Sequence, residues 1–131
     1  MIHGGCLCGA CRYLLTTRPK VSANCHCSMC RRQTGAAFLT YVAVNRNSFV
    51  MQRGRLADYR SSSDAIRSHC GSCGSPMTFV FDADPESVWV TLGTLDEPSL
   101  VPPTENWFVK DKVEWVCLDN TLKAWPAAPE A

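Results

Sequence analysis

The sequence has no long run of apolar residues and no stripe of basic ones. A membrane-spanning helix needs about 20 consecutive, mostly apolar residues, so we expect no membrane span. The 13 Lys and Arg residues are scattered, and Arg31-Arg32 is the only adjacent pair. Nucleic-acid-binding domains usually carry a basic patch or stripe. With a formal net charge of only +1, we do not expect nucleic acid as a partner.

The N-terminal residues MIHGGCLC also lack the charged and then apolar segments of a secretory signal peptide. We therefore expect a cytoplasmic protein, in which closely spaced thiols more often bind metal or perform redox chemistry than form disulfides. The 9 cysteines are odd in number, and their clusters are too tightly spaced for disulfides within a cluster. They are candidate metal ligands.

Long helical patterns are absent as well, and short strand-like segments dominate. β-branched and aromatic residues concentrate at 37–44, 77–81 and 87–92, and weaker strands are predicted at 47–51 and 56–60. Only residues 28–33 form a helical pattern, of about one turn. Pro and Gly residues separate these segments. We predict one mostly-β, loop-rich domain over residues 1–131, with its last few residues loose.

The cysteines form three clusters with two different spacings. CLCGAC at residues 6–11 and CHCSMC at residues 25–30 share the pattern Cys-x-Cys-x2-Cys, whereas CGSC at residues 70–73 has two cysteines. Closely spaced thiolates suit Zn²⁺ in tetrahedral geometry, and the cysteine runs of ferredoxin-type iron–sulfur proteins are missing. Zinc is therefore the predicted metal. A zinc ion that joins distant segments would also help a domain of short elements to fold.

The number of ligands divides the clusters unevenly. A structural zinc site is closed by four protein ligands, whereas a catalytic site has three and leaves one position open. CGSC supplies two thiolates, so two more must come from another cluster. Either Cys-x-Cys-x2-Cys motif can lend them, and the other then holds three thiolates without an obvious fourth ligand. Spacing alone does not decide between the two motifs, since Cys8 with Cys11 and Cys27 with Cys30 are both plausible CxxC pairs.

Five segments resemble the glutathione-dependent formaldehyde-activating enzyme family, which includes centromere protein V. They are GGCLCGACRY, NCHCSMCRRQTGAAF, HCGSCGSPM, LGTLDEP and NWFVKDKVEW, and together they extend over nearly the whole chain. The resemblance implies a fold of zinc-stapled, coiled antiparallel sheets, called β-tent or Mss4-like. It also implies two zinc sites. By motif position, the structural zinc is held by Cys6, Cys8, Cys70 and Cys73, and the second, catalytic zinc by Cys25, Cys27 and Cys30.

The resemblance further implies a carbon–sulfur lyase-type activity, similar to S-(hydroxymethyl)glutathione synthase. In that reaction a thiol, glutathione or a similar one, adds to formaldehyde or a related small aldehyde. A zinc ion with an open position suits this chemistry, because it can lower the pKa of an incoming thiol or polarise a carbonyl oxygen. The expected partners are a small thiol and a small aldehyde. We expect the open site to be the less fully occupied one, because three thiolates bind zinc less tightly than four.

Four further residues have competing interpretations. We interpret Cys11, where the family usually has an apolar residue, and Cys117 in VEWVCL as small buried hydrophobes. His26 is an alternative fourth ligand of the second site, but the middle residue of Cys-x-Cys tends to project away from the metal. Arg31 is a candidate catalytic residue, because a guanidinium beside three thiolates would offset their charge and could hold an anionic substrate. The alternative interpretation is that Arg31 is an ordinary solvated surface charge without a role in the site.

Two other classes of function stay open. One is a non-catalytic zinc module that presents a surface to a partner, with its second site empty or closed by a fourth protein ligand. The other is a thiol–disulfide protein, which the three Cys-x2-Cys pairs favour. We expect no such pair at a helix start in a βαβ unit, where thioredoxin-like motifs occur, and this disfavours the redox class.

Overall fold

The structure, a computed structural model, describes residues 1–129. Residues 130 and 131, on which the expected loose end partly falls, lie outside the described residues. The strands and the α-helix are, in chain order, β1 (Ile2–Gly5), β2 (Arg12–Leu15), β3 (Val21–Cys25), α1 (Ser28–Thr34), β4 (Leu39–Asn45), β5 (Phe49–Arg53), β6 (Leu56–Ser62), β7 (Ala65–Cys70), β8 (Pro76–Phe81), β9 (Asp84–Thr91), β10 (Glu105–Trp107) and β11 (Lys123–Ala124). None of the helices within residues 1–129 has both the length and the apolar character needed to cross a bilayer.

The strands form two sheets, and nearly all neighbours are antiparallel. The smaller sheet has the order β1-β2-β5, and the larger has the order β11-β10-β3-β4-β9-β8-β7-β6. The short strand β10 is the exception, because it pairs in parallel with both β3 and β11. The predicted mostly-β class of antiparallel sheets is confirmed.

The larger sheet is buried on both faces near its centre. Successive side chains of a strand point to opposite faces, so one face of β4 and β9 carries Val42, Val44, Val88 and Val90. These valines pack in the main core with Tyr13, Leu15 and Met77. The opposite face carries Leu39 and Tyr41, which belong to a second, smaller cluster with Cys25, Cys30 and Phe79. The second cluster surrounds the candidate active site.

A cross-strand row of side chains runs over this second face. Arg67 of β7 is paired with Phe79 of β8, Phe79 with Trp89 of β9, and Trp89 with Ala43 of β4. Since directly opposed residues share one face of a sheet, this register places the guanidinium and two aromatic rings side by side. The register, rather than proximity in sequence, assembles this part of the site.

The segment LGTLDEP, which begins directly after β9, is fastened to the first cysteine motif. The guanidinium of Arg12 donates to both carboxylate oxygens of Asp96, at 2.9 and 2.5 Å. The hydroxyls of Tyr13 and Thr94 are 2.7 Å apart. Hydrogen bonds from Arg12 lower the pKa of Asp96, so the pair is charged at neutral pH. These contacts hold β2 against the segment that follows β9. They thereby also fix the loop between β1 and β2, which carries Cys6 and Cys8.

Candidate metal centres and active site

Four cysteines from two distant loops converge into a cluster, here called the four-sulfur cluster. Cys6 and Cys8 lie between β1 and β2, whereas Cys70 ends β7 and Cys73 lies in the turn that follows. All four sulfurs lie within 4.8 Å of one another. Cys8 and Cys70 are 62 residues apart in sequence, yet their sulfurs are separated by 3.8 Å.

The four-sulfur cluster fits a tetrahedral zinc ion. Zn–S bonds of about 2.3 Å require neighbouring sulfurs to be about 3.8 Å apart in a tetrahedron. The Cys6–Cys8 and Cys8–Cys70 sulfur distances are 3.6 and 3.8 Å. Backbone N–H groups also point at the sulfurs, from Cys11 to Cys6 at 3.3 Å and from Cys73 to Cys70 at 3.5 Å. Such donors stabilise thiolates, the form that binds metal.

The turn after Cys73 needs its glycine. Gly74 adopts a φ of +79°, a left-handed conformation that residues with a Cβ rarely adopt. Its N–H donates to the carbonyl of Cys70 at 2.9 Å. This closed turn brings the sulfur of Cys73 back beside that of Cys70, as a chelating CxxC pair requires.

Cys25, Cys27 and Cys30 form a second group, here called the three-sulfur cluster, whose sulfurs also lie within 4.8 Å of one another. Cys25 is the last residue of β3, Cys27 is the N-cap of α1, and Cys30 lies inside the helix. The sulfurs of Cys25 and Cys30 are 3.2 Å apart, and the N–H of Cys30 donates to the sulfur of Cys27 at 3.3 Å. The immediate change from strand to helix aims three sulfurs at one point.

The three-sulfur cluster has a donor set that can hold a cation. Hydrogen bonds from Cys25 and Cys30, and then from backbone amides, lower the pKa of Cys27. The Cys27 and Cys30 side chains in turn raise the pKa of Cys25. One thiolate is therefore stable in this group by itself, whereas three adjacent thiolates need a positive ion between them. Its donor set fits Zn²⁺ with one coordination position left open.

Arg67 is the charged residue that contacts the three-sulfur cluster. Its Nη1 and Nη2 lie 3.7 and 3.6 Å from the sulfur of Cys30. Nη1 also donates to Tyr41 Oη at 2.9 Å and to Gln33 Oε1 at 3.3 Å, and the guanidinium lies 4.6 Å from the centre of the Phe79 ring. Burial by itself would lower the pKa of Arg67. The electrostatic interactions of the guanidinium with Tyr41 and Cys30 are stronger than this effect, so the pKa of Arg67 is raised.

The sequence did not identify Arg67. It occurs alone in the strand sequence AIRSHC, where no motif marks it, and it comes close to Cys30, 37 residues away in sequence, only in the folded protein. Arg31, the arginine singled out from the sequence, lies half-buried on α1. Its catalytic role stays a prediction.

The remaining predicted residues lie at different places. The side chain of His26 is 1% exposed and lies 4.8 Å from the Phe38 ring, with Nε2 3.4 Å from Asn106 Oδ1. The metal-competent group around Cys25 does not include it. Cys11 is buried in the main core, outside the four-sulfur cluster. This burial agrees with its interpretation as a small hydrophobe.

One expectation needs correction. Cys117 is exposed rather than buried, because residues 113–118 form no strand and run along the surface, where Trp115 is 73% exposed. The Cys27–Cys30 pair does lie at a helix start. However, β3 and β4, which flank α1, are antiparallel neighbours, so the unit is not the βαβ arrangement of thioredoxin-like motifs.

A pocket of about 280 Å³ opens beside the three-sulfur cluster, and we call it the aromatic pocket. All three thiols and Arg67 line it. Its remaining wall is mainly aromatic, with Met29, Ser62 and Asp64 as its other members, and the aromatic residues are Tyr41, Phe79, Phe81, Trp89, Trp107 and Phe108. A ligand in the pocket would therefore lie next to sulfurs that can hold a metal, with apolar rings around it.

The chain is similar to known proteins in sequence and in fold. The sequence model of the glutathione-dependent formaldehyde-activating enzyme family matches residues 1–111. A Schizosaccharomyces pombe protein named an uncharacterized lyase is 33% identical over 80 residues, which are 60% of this chain and 57% of that protein. The chain thus spans little more than half of that relative. The crystal structure of a Rhodobacter sphaeroides protein matches with a TM-score of 0.63 and 24% identity, over 80% of this chain and 98% of that one. This likeness shows a shared fold.

Proposed function

The chain belongs to the glutathione-dependent formaldehyde-activating enzyme family, and from this premise we propose that it adds a small thiol to formaldehyde or a related small aldehyde. The family and the lyase-named relative support a formaldehyde-activating, lyase-type function in general. The finer assignment, a zinc-dependent carbon–sulfur lyase, depends on one observation. The three-sulfur cluster lines a ligand-sized pocket.

The two clusters have separate roles in this proposal. The four-sulfur cluster holds a structural zinc, because four thiolates close its coordination and join loops that are distant in sequence. The three-sulfur cluster holds a second zinc with one open position. Zinc held there would lower the pKa of an incoming thiol and polarise an aldehyde oxygen.

The chain's own residues prepare the site for this reaction. Three thiolates around a divalent ion leave one net negative charge, and Arg67 beside Cys30 offsets it. Tyr41 and Gln33 fix the guanidinium, while the aromatic wall keeps water away from the reacting atoms. As the carbon–sulfur bond forms, the carbonyl π bond opens, and the thiol proton ends on the former carbonyl oxygen. The product is a hydroxymethyl thioether, and no oxidant or reductant is needed.

The reaction is tested by exchange measurements, because thiols and formaldehyde also combine without a catalyst. NMR exchange spectroscopy with ¹³C-formaldehyde gives the rate of adduct formation with and without the protein. We expect the zinc-loaded protein to accelerate the exchange and the chelated protein not to. A protein that holds two zinc ions and leaves the exchange rate unchanged would instead be a non-catalytic zinc module.

A thiol–disulfide role is the second candidate, because the sulfurs of Cys25 and Cys30 are only 3.2 Å apart. Oxidation would join these two cysteines and release any metal. Free-thiol counting after mild oxidation and reduction tests this role. A disulfide that forms and is reduced reversibly, in a protein isolated without a second zinc, would favour the redox role over the addition reaction.

A further inference from the structure

We propose that the thiol bound in the aromatic pocket has an uncharged aryl or alkyl body, so that glutathione is a poor ligand of this protein. The inference rests on the proposed function, because it concerns the substrate class of the same site. It follows from the lining of the pocket, the charges beside it and the rings exposed at its mouth.

The wall of the aromatic pocket offers apolar surface rather than hydrogen bonds. Phe79 and Phe81 meet edge to face at 4.5 Å, and Trp89 and Trp107 at 5.0 Å. A volume of about 280 Å³ lies just below the usual range for ligand pockets, which starts at about 300 Å³. One aromatic ring with a short arm suits such a space, and its burial would be favourable.

The charges beside the pocket oppose a carboxylate ligand. Arg67 is the one cationic side chain that lines it within the described chain, and it is already engaged by Cys30, Gln33 and Tyr41. Its Nε is buried without a hydrogen-bond partner among residues 1–129. That single N–H suits one oxygen, such as that of an aldehyde. Asp64 also lines the pocket and would repel the two carboxylates of glutathione. Burying these carboxylates without hydrogen-bonding or charged partners would cost free energy.

The mouth of the pocket carries apolar side chains that a ligand would cover. Met29 is 42% exposed and Phe81 is 41% exposed, and both line the pocket. Phe108, another lining residue, has a φ of +57°. Positive φ is strained for a residue with a Cβ and is typical of functional sites. An apolar ligand would remove exposed hydrophobic surface here, whereas a zwitterionic peptide would not.

Three thiols test the proposal by direct binding to the zinc-loaded protein in the absence of aldehyde. They are phenylmethanethiol, its carboxylate derivative 4-(mercaptomethyl)benzoate, and glutathione. Each offers one sulfur to the metal, so the comparison isolates the body of the molecule. We expect phenylmethanethiol to bind at least about tenfold more tightly than either of the others, as the burial of one aromatic ring allows.

Single substitutions test whether these thiols bind in the aromatic pocket. Phe81→Ser should weaken phenylmethanethiol binding by about three- to tenfold and leave glutathione binding unchanged. Val50→Ser is the matched control, because Val50 is exposed to the same 41% on the other sheet, and it should change neither. Asp64→Asn should improve the binding of 4-(mercaptomethyl)benzoate several-fold, since it removes a like charge.

Glutathione binding as tight as that of phenylmethanethiol would overturn the proposal. The proposal would also be overturned if the Phe81→Ser variant bound phenylmethanethiol as tightly as the unsubstituted protein does. Because binding is measured without aldehyde, this inference and the proposed reaction can fail separately. Tight, Phe81-dependent binding without any acceleration of adduct formation would reject the reaction and support the apolar pocket. Acceleration with glutathione alone would support the reaction and reject the apolar substrate.

Discussion

The guanidinium of Arg67 lies 3.6 Å from the sulfur of Cys30, although the two residues are 37 positions apart in sequence. This contact predicts that Arg67 tunes the three-sulfur cluster. Arg67→Met should lower the rate of thiol–aldehyde addition by about 10- to 100-fold, the usual effect of losing a group that supports a metal ligand. Zinc content and the pH dependence of the rate, measured together, check this role, because lost charge compensation should shift the pH profile.

Arg67→Lys should recover only part of the activity. A lysine keeps the charge but cannot reproduce the forked contacts to Cys30, Gln33 and Tyr41. Arg31→Met, measured in parallel, decides between the two arginines. If Arg31→Met lowers the rate more than Arg67→Met does, the interpretation from the sequence is right and the role given to Arg67 is wrong.

Zinc should leave the protein in two steps. A site of three thiolates with an open position binds zinc less tightly than a closed site of four, and its sulfurs oxidise more readily. Graded chelation should therefore release the first equivalent, together with the addition activity, before the melting temperature falls. A colorimetric zinc assay and thermal melting on the same samples measure both. Loss of the fold with the first zinc released would reverse the assignment of the two clusters.

The tight packing around Gly4, close to the four-sulfur cluster, predicts that a larger residue at this position destabilises the protein. A Cβ at Gly4 would lie 2.3 Å from Tyr13 Oη and 2.6 Å from the Thr94 carbonyl oxygen, and Tyr13 is fully buried. Gly4→Ala should lower the free energy of unfolding by about 1–3 kcal/mol, as overpacking usually does. Gly93→Ala is the control, because a Cβ there has no heavy atom within 4 Å. Denaturant unfolding of both variants checks the prediction, and equal stabilities would refute it.

The sequence predicted the strands that carry their own signal. The β-branched and aromatic segments became β4, β8 and β9, the two weaker candidates became β5 and β6, and the helical pattern became α1. The six strands β1, β2, β3, β7, β10 and β11 were not predicted. Three of them, IHGG in β1, VSANC in β3 and AIRSHC in β7, hold mainly small, polar and cysteine residues. Their extended form comes from pairing with neighbours in a sheet, and strand propensity depends strongly on such context.

The residues of the candidate site likewise include some that the sequence predicted and others that it did not. Its cysteines could be found because chelation requires short, fixed spacings that are visible in one segment. Arg67, Phe79 and Trp89 could not be found, because each comes from a different strand and only cross-strand register brings them together. The exposure of Cys117 was missed because its apolar neighbours in sequence were taken to indicate burial, whereas residues 113–118 run along the surface.

Cysteine variants separate the two clusters most sharply. Cys73→Ser removes a ligand that joins distant loops, so we expect insolubility or a melting temperature lowered by roughly 10 °C or more. Cys27→Ser removes a ligand from a cluster confined to one short segment. It should remain folded and hold one zinc fewer. Cys11→Val, which changes a buried thiol outside both clusters, is the control and should keep both zinc ions.

The most direct measurement is the rate of formaldehyde–thiol adduct formation by Cys27→Ser, taken together with its melting temperature and bound zinc. We predict a folded protein with about one zinc and no acceleration above the uncatalysed reaction, next to a fully active Cys11→Val. If Cys27→Ser unfolds as readily as Cys73→Ser, or keeps the acceleration while lacking the second zinc, the three-sulfur cluster is not the catalytic site.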